Sequence, residues 1–223
     1  MKVLYLLLVF LLFVIVFNDA CITTKCPEDV KIGEIALSEK SLEFFPFEAN
    51  PKLIFKDNIG NELVFISKEG VKLESTKIAI YKKCTEFKYD GQSSYEYFTG
   101  KSKNIVLFSQ PEAYAYNLGL YTTNLRPEKE LFYDKLIVDI NETGTIGRGE
   151  IVTDIRFTEQ YSESDFGIDS PMTFIDSIVL NSIVYKDIYA SKLIDGKQIY
   201  YNKDKGIIGF IKDNKIFNLD RIE

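Results

Sequence analysis

Two patterns of apolar residues divide this chain. Residues 3–17 are apolar or aromatic without a break. Beyond about residue 50 the pattern changes to short runs of β-branched and aromatic residues, separated by Gly, Asn and Asp, which reads as strand and turn. The first hairpin spans residues 52–57 and 62–67 around Asn58-Ile59-Gly60-Asn61, a polar turn whose glycine can take positive φ. Residues 71–83 predict a long strand with Ile78, Ile80 and Cys84 on one face, and residues 95–99 and 104–109 predict a hairpin about Gly100-Lys101. Residues 113–120 set Tyr114, Tyr116, Leu118 and Leu120 against Ala113, Ala115, Asn117 and Gly119, favouring a strand over a short helix begun at Pro111-Glu112.

Asn124 to Glu130, containing Arg126-Pro127, is the candidate linker between an N-terminal β region (21–125) and a C-terminal one (126–223). One continuous domain over 27–223 is the alternative. Residues 135–140 and 150–159 predict a further hairpin, the second strand placing Ile151, Thr153, Ile155 and Phe157 opposite Val152, Asp154, Arg156 and Thr158. Segments 172–180, 182–191, 198–202, 206–212 and 215–222 follow, with turns at Asp195-Gly196, Asp204-Lys205-Gly206 and Asp213-Asn214, so an antiparallel meander is expected. Its apolar set, Ile183, Tyr185, Ile199, Tyr201, Ile208 and Phe210, needs a cover. The predicted fold is therefore all-β, mainly antiparallel, as a β-sandwich or partly closed barrel with a C-terminal meander.

The leading run has one positive charge before it, at Lys2, and Asn18-Asp19-Ala20-Cys21 after it, the layout of a secretory signal peptide over residues 1–20. It is short for a membrane span. Cleavage after Ala20 makes Cys21 the first mature residue. Ala20-Cys21 resembles the end of a bacterial lipoprotein signal, in which the cysteine carries diacylglycerol, while Asn18 and Asp19 depart from that pattern. Lipidation is expected, with plain cleavage and a retained apolar anchor as alternatives. Several acyl chains, each methylene adding about 0.8 kcal/mol, would hold the protein stably on a membrane.

Cysteine parity agrees. The three cysteines are Cys21, Cys26 and Cys84, and an odd count in an exported protein leaves one thiol to explain. With Cys21 acylated, Cys26 and Cys84 are free to pair in an oxidising compartment, for roughly 4 kcal/mol by the chain-entropy estimate. Two buried thiols are the other possibility.

Charge and composition then exclude function classes. Lys and Arg total 27 against 33 Asp and Glu, a net charge of -6, and no basic stripe is visible, which argues against a nucleic-acid partner. The chain has no histidine, which removes Ser-His and Cys-His catalysis, histidine metal sites and the usual neutral-pH proton shuttle. No cofactor, metal ligand or catalytic residue is nominated.

Other candidates are local. Gly144-Thr145-Ile146-Gly147-Arg148-Gly149 can present amides and Arg148 to an anion, but it matches neither the P-loop nor the dinucleotide fingerprint and reads as a turn before the strand at Glu150. Glu163, Asp165 and Asp169 are oxygen ligands without EF-hand spacing. Tyrosines 95, 97, 114, 116, 121 and 133 suit a ligand surface and suit strands equally. Asn141-Glu142-Thr143 is an N-glycosylation sequon, and Asp176-Ser177-Ile178 resembles a bacterial O-glycosylation triplet that nominates Ser177.

Finally, Ile183-Val184-Tyr185-Lys186-Asp187-Ile188-Tyr189, Ile199-Tyr200-Tyr201-Asn202 and Gly206-Ile207-Ile208-Gly209-Phe210 resemble the C-terminal end of small β-rich bacterial envelope lipoproteins. Cys26-Pro27-Glu28-Asp29, Leu42-Glu43-Phe44-Phe45-Pro46-Phe47 and Leu53-Ile54-Phe55 are similar to the same group. The resemblance implies an envelope location and a β fold, with no catalytic residues to carry over. The expected function is a non-enzymatic, membrane-tethered lipoprotein with an interaction or structural role and an unknown protein partner. A lipocalin-like or lipoprotein-carrier-like binder of an apolar ligand is the alternative, to be told apart by lipid that co-purifies. A histidine-free hydrolase of glycans or peptides is the third reading, and it requires two carboxylates facing each other in a cleft.

Overall fold

The computed structural model describes residues 26–85, 92–110, 113–126, 129–142, 145–157, 163–212 and 214–223. These residues form thirteen strands of a single sheet that curls into a half-barrel, antiparallel except where the first strand joins it. In chain order the elements are β1 (Val30–Ile35), a one-turn helix α1 (Glu39–Leu42), β2 (Lys52–Lys56), β3 (Glu62–Ser67), β4 (Lys72–Thr85), β5 (Ser93–Gln110), β6 (Ala115–Asn124), β7 (Phe132–Asn141) and β8 (Thr145–Ile155). A 3-10 turn at Glu163–Phe166 leads to β9 (Thr173–Leu180), β10 (Ile183–Ala190), β11 (Gln198–Asn202), β12 (Gly206–Lys212) and β13 (Lys215–Ile222). The strand order is β8-β7-β6-β5-β3-β2-β13-β12-β11-β10-β9, with β1 and β4 added on β5.

The all-β expectation holds, and so do most of its turns. Asp57 caps the first hairpin by accepting from the backbone N–H groups of Ile59 and Asn61, while Gly60 takes φ +91°. Asp195 and Gly196 both take positive φ between Ile194 and Lys197, the geometry a two-residue hairpin needs. The C-terminal meander is present from β9 to β13.

Three local expectations are corrected. Gly100-Lys101 is not a turn: β5 runs straight through it for eighteen residues. Here β5 exchanges β1 for β6 along one edge, and a Cβ on Gly100 would lie 2.5 Å from Ile78 and 3.1 Å from the Thr122 carbonyl. Close packing, not a bend, is what this glycine serves. Ile208 and Phe210 do not share a face, because the register shifts from Tyr200 opposite Gly209 to Tyr201 opposite Ile207, leaving Ile208 as the extra residue. Ile183, at the tip of the β9–β10 hairpin, is exposed rather than covered. The segment at Asn124 to Glu130 connects β6 and β7, which pair directly along their whole length.

The wings of the half-barrel enclose the main core. Leu53, Phe55, Phe65, Ile105, Leu107, Leu118, Leu136, Val138, Ile199 and Phe210 meet inside it. Its mouth is closed by the segment after α1, where Phe45 and Phe47 stack edge-on and Phe47 reaches Tyr116. The Tyr201 hydroxyl donates to the Phe44 carbonyl from the opposite wing. Beyond this core the meander curls back on itself, with Tyr185 donating to the Leu219 carbonyl at 2.9 Å over a second cluster of Leu180, Ile188, Tyr200 and Ile208. Cys26 and Cys84 form a disulfide that ties the approach to β1 to the end of β4.

Candidate functional site: the seam of the half-barrel

A curled open sheet leaves two terminal strands, and here they approach without merging. Glu150 of β8 donates its N–H to the Ser170 carbonyl at 2.8 Å and accepts from the Met172 N–H at 3.1 Å. Past this single parallel bridge, β8 and β9 part. A cleft of 680 Å³ opens between them, within the range of small-molecule sites. Ile151, Phe166, Ile168, Met172, Phe174 and Tyr189 line it. Lys40 of α1 and Asp154 of β8 pair at 3.6 Å on its rim.

Each wall has a local cause. Pro171 lacks an N–H, so the chain there cannot extend the ladder as a regular strand and β9 begins only at Thr173. Phe166 is set by the 3-10 turn: its carbonyl accepts from the Tyr133 hydroxyl at 2.7 Å and its ring packs edge-on to Tyr133 and stacked with Phe157. Burial, with the Glu150 charge nearby, pushes the Tyr133 hydroxyl up to about 12, so it stays a neutral donor. Phe174 and Phe44 both lean on Tyr189. Gly147 and Gly149 are strand residues rather than turn residues, and their missing side chains admit Ile199 and Met172.

Behind the cleft lies a buried polar cluster. Asp134 is fully buried and accepts from the Ser38 N–H at 3.0 Å, from the Thr122 hydroxyl at 2.7 Å and from Arg156. Burial opposes its ionisation, but these donors outweigh it and hold the carboxyl below the ordinary range. Thr153 donates to Ser41 at 2.8 Å, and Ser38 caps α1 through the Ser41 N–H. The cluster anchors α1, and with it Lys40, against the sheet. Glu150 is likewise covered, with Lys135 at 3.2 Å and Arg148 at 2.9 Å.

The other candidates are dispersed. Cys21 lies outside the described residues, as do Pro111 and Glu112, and Thr143 of the sequon. Ser177 is exposed on β9, opposite Lys186. Tyr116 is in the core, Tyr95 and Tyr97 flank Lys77, and Tyr114 packs under Lys212, so the tyrosines do not gather. Asp165 belongs to the 3-10 turn, and Asp169 follows it. None of the cleft's lining is marked in the sequence, because Met172 and Phe174 look like ordinary strand residues until β8 stands beside them.

No family model, curated protein or solved structure matches the chain. Among the described residues no helix is long and apolar enough to cross a membrane, and the Cys26–Cys84 disulfide is consistent with an exported protein.

Proposed function

We propose that this is a non-enzymatic binding protein of a bacterial envelope, tethered to a membrane through acylated Cys21, and that it takes an apolar chain into the seam of its half-barrel. The seam cleft carries the reading. Its lining is largely aliphatic and aromatic, while Lys40 and Asp154 offer a charged pair at the rim to a polar end group. The half-barrel interior is a poor alternative, since Phe45, Phe47 and Tyr116 fill it. Cys26 follows Cys21 by five residues, so a full extension of about 3.5 Å per residue keeps the disulfide-bonded end within roughly 18 Å of the anchor.

The test is ligand retention by full-length protein extracted from membranes. Native mass spectrometry is expected to show an acylated chain beginning at Cys21, with an additional non-covalent apolar molecule. A fluorescent fatty acid should displace that molecule, and Met172→Trp, which fills the cleft, should abolish uptake of the probe. An unoccupied protein that ignores the probe, or equal uptake by Met172→Trp, refutes the seam reading. An unacylated mass refutes the tether alone.

A further inference from the structure

The outer face of the sheet carries a second recess, on the opposite side from the main core. Because Ile105, Leu118, Leu120, Leu136 and Val138 point inward, alternation turns Asn104, Asn117, Tyr121 and Asp139 outward. The register brings these into cross-strand rows: Glu74, Ser102 and Tyr121; then Lys72, Asn104, Gly119 and Ile137; then Val106, Asn117, Asp139 and Arg148. Gly119 makes the dip. A Cβ there would fall 2.3 Å from the Tyr121 ring, so the ring lies along the strand over the glycine and forms a flat floor.

Around that floor a 290 Å³ groove is lined by Asn104, Asn117, Tyr121, Asp139 and Arg148. At Asn104 and Val106 it continues into a 470 Å³ notch bounded by Lys68, Glu74 and Phe108. The notch exists because β3 and β4 lie end to end on one edge of β5 and the chain loops out between them at residues 68–71, uncovering Val106. From β4 to β8 the face spans four strand spacings, about 19 Å.

We infer that this groove binds a polyhydroxylated ligand, a glycan chain laid across strands β4 to β8. A ring face beside planar amide and carboxylate groups is what sugar recognition asks for, since a pyranose has an apolar face to stack and hydroxyls that both donate and accept. Lining charges of both signs, Lys72 and Arg148 with Glu74 and Asp139, suit an uncharged polyol. Asp139 supplies the second argument. Its Oδ2 accepts from Asn141 at 2.6 Å, while its Oδ1 is buried with no hydrogen bond of normal geometry, only the amide of Asn117 standing beside it, and the Ser102 hydroxyl in the row of Tyr121 is likewise buried without a partner. Arg148, directly across from Asp139 on β8, turns its guanidinium to Glu150 instead, which leaves a ligand hydroxyl to provide the missing donor.

The full chain is titrated with three soluble probes, maltohexaose, cellohexaose and hexa-N-acetylchitohexaose, by calorimetry and saturation-transfer NMR. At least one is expected to bind, with Tyr121→Ala and Asp139→Asn each weakening it about tenfold or more, as loss of a stacking face or a charge-assisted hydrogen bond should. Met172→Trp, in the seam, should leave this binding unchanged, so the two sites fail or succeed separately. Failure of all three probes to bind, or wild-type affinity in both groove variants, overturns the inference. If Tyr121→Ala unfolds, Asp139→Asn alone decides.

Discussion

Asp134 and Asp139 sit five residues apart on β7 and face opposite sides of the sheet. Asp134 points inward beneath α1 and receives a backbone N–H, a hydroxyl and a guanidinium. Asp139 points outward, with one oxygen served by Asn141 and the other, beside the Asn117 amide, in no hydrogen bond of normal geometry. The same side chain on the same strand is thus held below the ordinary carboxylate range in one place and above it in the other. For Asp139 burial is the leading cause, only partly offset by Asn141, Arg148 and Asn117. A satisfied carboxylate fixes an element, whereas an unsatisfied one stores a cost that a ligand can relieve. The inner end of the strand is built for stability and the outer end for contact.

Breaking the inner end should have the largest effect. Asp134→Ala leaves the Thr122 hydroxyl, the Ser38 N–H and Arg156 without their acceptor, and truncating one partner of a buried charged cluster costs about 3–5 kcal/mol. Urea unfolding is expected to show that loss at pH 7, a large share of the roughly 5–15 kcal/mol typical of a folded domain. Because the folded-state pKa is lowered, this stability is present above the unfolded value near 3.9 and disappears as pH falls through the folded value. The gap between wild type and Asp134→Ala should therefore narrow below about pH 4. A gap that stays constant in acid would mean that the carboxylate charge plays no part.

Asp139→Asn should reverse the sign. With its folded pKa raised, Asp139 lowers stability as pH climbs from the ordinary carboxyl value through the raised one. Asparagine avoids that cost, so unfolding at pH 7 should show the variant equal to wild type or about 1 kcal/mol more stable, and the difference should vanish below about pH 4. A clear destabilisation at neutral pH would make Asp139 a second structural anchor and erase the contrast.

Ser102→Ala makes a smaller test of the same contrast. The Ser102 hydroxyl is buried with no partner, unlike Thr122, so its removal should stabilise by up to about 1 kcal/mol in thermal or urea unfolding. A loss comparable to that of Thr122→Ala would show that both hydroxyls are structural.

How much of this was legible in the chain depends on the range of the signal. Turn chemistry is local, so Asn58 to Asn61 and Asp195-Gly196 announced their hairpins, and runs of β-branched and aromatic residues gave the strands of the meander. The cysteine pair was open to parity reasoning. What failed was anything set by a neighbouring strand. Gly100 looked like a turn because its reason, the approach of Ile78 and Thr122, comes from two other strands. Ile208 was given the wrong face because a bulge shifts period two by one residue and leaves no composition mark. The site residues behave likewise: Met172 gains meaning only opposite Glu150, and Asp139 only between Asn117 and Arg148. Of the sequence-nominated groups, Tyr121 and Arg148 enter the outer groove, and neither signalled the other.

Gly119→Ala should have the least effect on stability and so isolates the groove from the fold. Replacing a strand-interior glycine recovers about 0.5–1 kcal/mol of backbone entropy. Against this, the new methyl group would stand 2.3 Å from the hydroxyl end of Tyr121, a half-buried ring that can rotate outward at modest cost. The two terms nearly cancel, and the unfolding midpoint should move by less than the equivalent of about 0.5 kcal/mol. Lifting the ring nevertheless removes the flat floor between Asn104 and Asp139. An oligosaccharide probe should therefore bind this variant more weakly than wild type while the Asp134 cluster, on the other side of the sheet, keeps its acid response. Unchanged probe binding with a displaced ring would show that Tyr121 covers Gly119 only as packing, and the outer end of β7 would lose its distinction from the inner one.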